Sequence, residues 1–209
     1  MRYIISKILY NFSWLILRPV FRFFINLEIE SQENLKELQG PLIIAANHAS
    51  WIDSFVIGAS MPFLSKVFPI RFACWYKYYY SFRIFPIVWA FGCFPIKKGE
   101  ELGKILKIPV NILKKRGVIG IFPEGKRRKA GRLRRGRKGA AYLSLKTNTK
   151  ILPVKIEGNI KITFSNFLLR KHRVKVKIGK TFLLAPHDIN DLNKLNTSAI
   201  FVMNKIREL

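Results

Sequence analysis

A chain of 209 residues with 38 Lys and Arg against 12 Asp and Glu carries a formal charge of +26 at pH 7, on a composition that is 49% hydrophobic and 13% aromatic. Basic disordered tails lack that apolar mass, so global disorder is excluded and the length suits one domain, or one domain plus a small appendage. The charge calls for an anionic partner, whether nucleic acid, an anionic membrane face or a phosphorylated substrate, and composition does not choose among them.

Residues 1–28 are strongly apolar and aromatic but interrupted by Lys7, Arg18 and Arg22, with Pro19 splitting the run. No uninterrupted span of ~18–20 apolar residues exists, as a spanning helix needs, and no small-residue cleavage site marks a signal peptide. The expectation is a pair of short helices broken near Pro19, lying in the membrane interface with Trp14 and the Phe residues inserted and the cations at the headgroups. The alternative is a helical pair packed on a soluble core. Residues 1–30 are therefore read as a membrane anchor and 31–209 as the main domain.

Pro41–Ala46 is a short apolar run of buried-strand type, followed by a polar turn and an apolar stretch to about Ala59, a strand and then a helix. Residues 75–94 are dense in Trp, Tyr and Phe beside Lys77 and Arg83, which suits core, a membrane-facing edge or the wall of a hydrophobic tunnel. Glu101–Arg116 is helical in pattern despite Pro109; Gly117–Phe122 and Ile151–Ile156 are strand-like, with a helix around Gly139–Lys146 between them. Arg173–Ile178 alternates as a half-exposed strand, and Asp188–Leu209 closes the chain as an amphipathic helix. Strands alternating with helices predict an α/β fold with a mostly parallel central sheet flanked by helices. Cys74 and Cys93 are too few for a disulfide framework and point to a reduced, cytosolic setting. His48, His172 and His187 are scattered, so no metal site is expected.

The stretch Asn47-His48-Ala49-Ser50-Trp51-Ile52-Asp53 falls where the first strand should end, the place at which α/β sheets hold ligands. A neutral imidazole can take a proton from a hydroxyl while a carboxylate on its other nitrogen fixes the tautomer. On one continuous helix a five-residue offset turns by ~500° and leaves the side chains ~140° apart, so the pair requires His48 on a turn and a helix starting after it. Asn47 and Ser50 offer the turn and N-cap chemistry for that. A structural His with a capping Asp is the competing reading. Phe122-Pro123-Glu124-Gly125 then precedes a run in which Lys126, Arg127, Arg128, Lys129, Arg132, Arg134, Arg135, Arg137 and Lys138 are all basic. A glycine turn at a strand end beside guanidinium forks is a phosphate cradle, and the alternative is a solvated basic loop that binds anionic lipid or nucleic acid without specificity.

Four ordered blocks, Asn47-His48-x-Ser50-x-x-Asp53, Gly92-x-Phe94-Pro95-Ile96-x-Lys98-Gly99, Phe122-Pro123-Glu124-Gly125-x-Arg127 and Ile151-Leu152-Pro153-Val154, make the chain resemble the glycerophospholipid acyltransferases of the 1-acyl-sn-glycerol-3-phosphate acyltransferase type. The resemblance spans about residues 40–157 and extends to the apolar N-terminus. It implies transfer of a fatty acyl chain from an acyl thioester, acyl-CoA or acyl carrier protein, to the free hydroxyl of a lysophospholipid, first of all 1-acylglycerol 3-phosphate, with no cofactor. His48 is then the general base and Asp53 its orienter; Asn47, Ser50, Lys98, Glu124, Gly125, Lys126 and Arg127 surround the acceptor, the cations on its phosphate. Partners are an anionic membrane surface, the lysophospholipid and the thioester donor, and the setting is the cytoplasmic face of the cytoplasmic membrane. Lys126, Arg128 and Lys98 depart from the Thr, Ser and Arg of many members, which bears on acceptor identity: another lyso-lipid, such as an amino-acid-containing one, or glycerol 3-phosphate is the alternative. A basic nucleic-acid-binding or membrane-binding protein without catalysis accounts for the charge but not the ordered blocks, so no nucleic acid partner is expected.

Overall fold

In the computed structural model, which describes residues 1–97, 99–128, 133–160 and 162–209, the chain runs α1 (Arg2–Phe24), β1 (Glu28–Glu30), a 3₁₀ turn (Gln32–Leu35), β2 (Leu42–Ala46), α2 (Asp53–Ser60), β3 (Ile70–Trp75), α3 (Tyr76–Tyr79), α4 (Phe85–Ala90) and β4 (Phe94–Ile96). It continues with α5 (Leu102–Ile105), α6 (Lys107–Lys114), β5 (Val118–Ile121), α7 (Gly139–Thr147), β6 (Ile151–Glu157), α8 (Phe164–Leu168), β7 (Lys175–Ile178) and α9 (Leu192–Arg207). Among the described residues seven strands form one sheet in the order β1-β7-β6-β2-β5-β3-β4.

The middle strand β2 shows why the sheet sits where it does. All five of its residues are buried, Leu42, Ile44 and Ala46 in a core shared with α1 and α2, Ile43 and Ala45 in a core shared with α6, α7 and α9. A strand covered on both faces reads as an unbroken apolar run, as Pro41–Ala46 does. It pairs in parallel with β5 on one side and β6 on the other, so the three strands end together and the loops after Ala46, Ile121 and Glu157 meet at one edge. The predicted α/β architecture with a mostly parallel sheet is what forms. The exceptions are the edge pair β7 and β1, which run parallel to each other and antiparallel to β6 and the rest of the sheet.

Two expected elements differ. The N-terminal helical pair is one continuous helix, α1, with Pro19 inside it. Proline removes one backbone donor and costs about 3 kcal/mol in a helix interior. Docking on both sides of the ring offsets this: Trp14 Nε1 donates to the Met61 carbonyl at 2.7 Å, Arg18 to the carbonyls of Ala59 and Met61, and Phe21 is buried. The packed face, Ser6, Tyr10, Trp14, Leu17 and Phe21, follows helical spacing, and so does an exposed stripe of Ile4, Ile8, Phe12, Leu15 and Phe23. By length and composition, α1 is apolar enough to cross a membrane. Residues 28–30, placed with the anchor by sequence, form the edge strand β1. The helix expected over Glu101–Arg116 is two helices meeting at Leu106, because Pro109 has no N–H to offer the Ile105 carbonyl.

The aromatic region divides. Tyr79 and Phe94 are core, whereas Trp75, Tyr76, Tyr78, Tyr80, Phe82, Ile87 and Trp89 reach the surface, Phe82 at 95% exposure. Arg2 ties this hairpin of short helices to α1 by donating to the carbonyls of Trp89 and Cys93.

Candidate active site

The turn after β2 is built on the carboxylate of Asp53, which is 0% exposed. Its Oδ2 accepts from His48 Nδ1 at 2.8 Å and from the backbone N–H groups of Ala49 and Ser50 at 2.7 and 2.9 Å; its Oδ1 accepts from Asn159 Nδ2 at 2.9 Å. Every partner is a donor, the complement of an acceptor-only ionised carboxylate. The α2 helix starts at Asp53 itself, with Ile52 as N-cap and no side-chain cap bond. His48 therefore lies on the preceding turn, where the five-residue separation lets the two side chains meet. Since Asp53 accepts, the neutral ring carries its proton on Nδ1 and keeps the Nε2 lone pair free. The imidazole stacks on Phe122, with centroids 4.0 Å apart and planes at 11°, and Phe122 stacks on Phe72. These contacts fix the tilt of the ring as Asp53 fixes its rotation.

The loop after β5 is locked onto the same turn. Glu124, 2% exposed, takes the His48 N–H on Oε1 at 2.8 Å and the Arg134 N–H on Oε2 at 3.1 Å, while the Arg128 N–H donates to the His48 carbonyl at 2.9 Å. Asn47, fully buried, clamps the end of β2 to β6 by donating to the Ile156 carbonyl and accepting from the Ile156 N–H. Gly125 sits at φ +70°, and a Cβ there would come within 2.5 Å of the Arg137 side chain, so the basic segment doubles back over this turn.

From His48 a cavity of about 370 Å³ runs between α1, α2 and the aromatic hairpin. Arg127 and His48 stand in its wall with Trp51; Tyr10, Trp14, Phe55, Tyr78, Ile87 and Phe91 make it apolar farther in.

Comparison with known proteins identifies a family and a matching fold. The family model described as Acyltransferase matches residues 26–157. The chain belongs to the acyltransferase family. It is 32% identical over 168 residues to a chloroplastic 1-acyl-sn-glycerol-3-phosphate acyltransferase of Arabidopsis thaliana, covering 75% of this chain and 44% of that one. It is 30% identical over 169 residues to the 1-acyl-sn-glycerol-3-phosphate acyltransferase of Streptococcus pneumoniae, covering 79% and 57%. The chain thus spans about half the length of these relatives. Its fold matches the crystal structure of the 1-acyl-sn-glycerophosphate acyltransferase PlsC of Thermotoga maritima with a TM-score of 0.71 at 18% identity, over 97% of this chain and 78% of that one.

Within this acyltransferase fold the residues picked from sequence fall into three groups. His48 and Arg127 line the cavity, with Asp53 buried behind the imidazole and Gly125 and Lys126 exposed on the adjoining turn. Asn47, Ser50 and Glu124 are buried and engaged with the protein's own backbone. Ser50, expected as a helix cap, instead gives its N–H to Asp53 and accepts weakly from the Ile52 N–H through Oγ. Lys98, with Lys129 and Arg132 of the basic run, lies outside the described residues. Asn159 and Phe122 were not picked for roles at His48, and Arg137 was one cation among nine. Asn159 follows β6 by two residues; only the pairing of β2 with β6 puts it against Asp53.

Proposed function

We propose that this chain transfers a fatty acyl group from an acyl thioester to the free hydroxyl of a lysophospholipid, 1-acylglycerol 3-phosphate giving phosphatidic acid. The observation that carries the reading is His48 held through Nδ1 by a buried Asp53 at 2.8 Å, its ring in the wall of an apolar cavity that Arg127 also lines. His48 Nε2 removes the acceptor hydroxyl proton as its oxygen attacks the thioester carbonyl; the new C–O bond forms, the C–S bond breaks, and the proton passes from His48 to the departing thiolate. Asp53 orients the ring. Since the thioester is already activated, alignment of the two substrates is the main task left to the protein.

Arg127, Lys126 and Lys98 hold the acceptor phosphate, and Glu124 and Gly125 shape the loop that carries Lys126 and Arg127. The apolar part of the cavity takes an acyl chain. The donor, acyl-CoA or acyl carrier protein, arrives from the cytoplasm, its negative charge drawn by the +26 chain. The lysophospholipid enters from the bilayer beside α1, on an anionic leaflet that attracts the protein by about 1 kcal/mol per basic residue near its surface.

Labelled acyl transfer onto lysophosphatidate, from acyl-CoA and separately from acyl carrier protein, tests the proposal in membranes bearing wild type or His48→Ala. Product is expected from the wild type with at least one donor and a loss of about 10²–10⁴-fold in the variant. Near-wild-type turnover in His48→Ala would overturn the mechanism, and no product with either donor would overturn the acceptor.

A further inference from the structure

Beyond the His48 cavity, with Cys93 in the wall they share, lies a second cavity of about 190 Å³. It sits where the first turn of α1 meets the beginnings of β3 and β4 and one side of α6, at the opposite end of the strands from His48. Its lining includes Arg2, Tyr3, Arg71, Phe94, Ile108 and Ile112, and no acidic residue.

Arg71 is the unusual member. It is half-buried, with its guanidinium over the Tyr3 ring at 5.5 Å, and among the described residues that guanidinium makes no hydrogen bond or ion pair. The ionisable groups acting on it are Tyr3, Arg2 and Tyr10, none of them a carboxylate, and burial lowers its pKa, with Arg2 acting in the same direction. Arg2 places a second cation at the rim; its Nε and Nη2 are spent on the carbonyls of Trp89 and Cys93 and on the Tyr79 hydroxyl. A guanidinium carries five donors; those of Arg71 keep some contact with water, face no acceptor of the protein, and are free to engage an anion. The space is kept open by glycine: at Gly117 a Cβ would come within 3.0 Å of Arg71 Nη1, and at Gly92 within 3.4 Å of Arg71 Cγ.

We infer that this cavity binds a phosphate group, the Arg71 fork taking two of its oxygens while Arg2 adds its field. The phosphate comes from a lipid headgroup or from a soluble phosphate. The exposed apolar stripe of α1 begins beside the cavity at Ile4, which favours a headgroup of the bilayer on which that stripe would lie. The site does not depend on the acyl-transfer reading.

Thermal unfolding of the full chain is the test, in phosphate-free buffer titrated with orthophosphate, with glycerophosphoglycerol as a soluble phosphodiester, or with sodium chloride at matched ionic strength. Arg71→Met keeps the apolar stem and drops the cation. It is expected to be at least as stable as wild type without phosphate and to bind at least about tenfold more weakly than wild type in one phosphate arm, since a charge-assisted fork is lost. Preference for the diester marks a lipid headgroup as the source, and preference for orthophosphate a soluble one. If wild type and Arg71→Met respond alike in both arms, phosphate is held by the general basic surface and the inference is overturned. Should Arg71→Met fail to fold, Arg71→Lys is read in its place: it keeps the charge and loses the fork, and undiminished affinity overturns the site.

Discussion

The side-chain amide of Asn159 donates to Asp53 Oδ1 at 2.9 Å, so the carboxylate that orients His48 is itself held from the loop after a neighbouring strand. The amide oxygen of Asn159 is buried without a partner, a situation that costs roughly 1–3 kcal/mol. Turning the amide over would set that oxygen against the carboxylate. The orientation that serves Asp53 is kept at the expense of Asn159.

Replacing Asn159 by Leu removes the orphan oxygen together with the donor, and Asn159→Asp sets a second carboxylate against Asp53. Both are expected to lower turnover, by up to about 10²-fold for an imidazole displaced by a fraction of an ångström to an ångström, with KM for the acceptor little changed. Steady-state kinetics on folded protein checks this. A change in KM alone would mean that Asn159 shapes the acceptor site and does not act through Asp53.

Gly120 in β5 has no room for a methyl group: a Cβ would stand 2.1 Å from the Phe72 ring. Phe72 stacks on Phe122 and Phe122 on His48. Gly120→Ala is therefore expected to cost about 1–3 kcal/mol in urea unfolding and also to reduce turnover in the folded fraction. Reduced stability with unaltered turnover would show that the aromatic stack does not set the imidazole's tilt.

Glu124→Gln leaves one carbonyl oxygen for two backbone donors and points an NH₂ at the other. About 1–3 kcal/mol of stability should be lost, and acceptor KM should rise as the turn that carries Arg127 loosens. The paired unfolding and kinetic measurements separate the two effects.

These contacts also mark the limit of what the sequence reveals. Pro41–Ala46, Ile151–Ile156 and the His48–Asp53 spacing are local: an apolar run declares a doubly covered strand, and a five-residue offset declares a turn before a helix. Asn159 carries no such local signal, because its role depends on which strand lies beside β2. The short β4 and the reversed β7 are likewise fixed by pairing partners far along the chain. Pro19 misleads for a related reason, since tertiary docking of Trp14, Arg18 and Phe21 overrides the break that propensity predicts.

Burial pushes the Cys93 thiol up to about 11, with Cys74 acting in the same direction. An unfolded cysteine titrates near ~8.5, so from about pH 9 to about pH 11 the native chain retains a proton that the unfolded chain has lost. Stability from this group is complete below that window and falls as pH rises through it, by on the order of 2–3 kcal/mol. Urea midpoints at about pH 8 and about pH 10.5 should differ more in wild type than in Cys93→Ala. Equal slopes would assign the alkaline loss to other groups.

The exposed stripe of α1 supplies a membrane test. Ile8→Asp with Phe12→Asp should release the protein from anionic vesicles, whereas high salt alone should release only the part held by charge. Complete release by salt from the wild type would mean that the stripe is not inserted.

The outward and inward faces of α1 belong to one helix, and Tyr10, Trp14 and Leu17 on the inner face are wall to the His48 cavity. A chain shortened to begin after residue 24 would therefore not be a soluble enzyme lacking its anchor. It would be a half-open trough with its apolar cavity emptied into water, and any pull on α1 would also be a pull on the side of that chamber. With the outer stripe seated in a bilayer, attachment and enclosure would be one mechanical part, and lipid packing around the helix would be felt in the cavity.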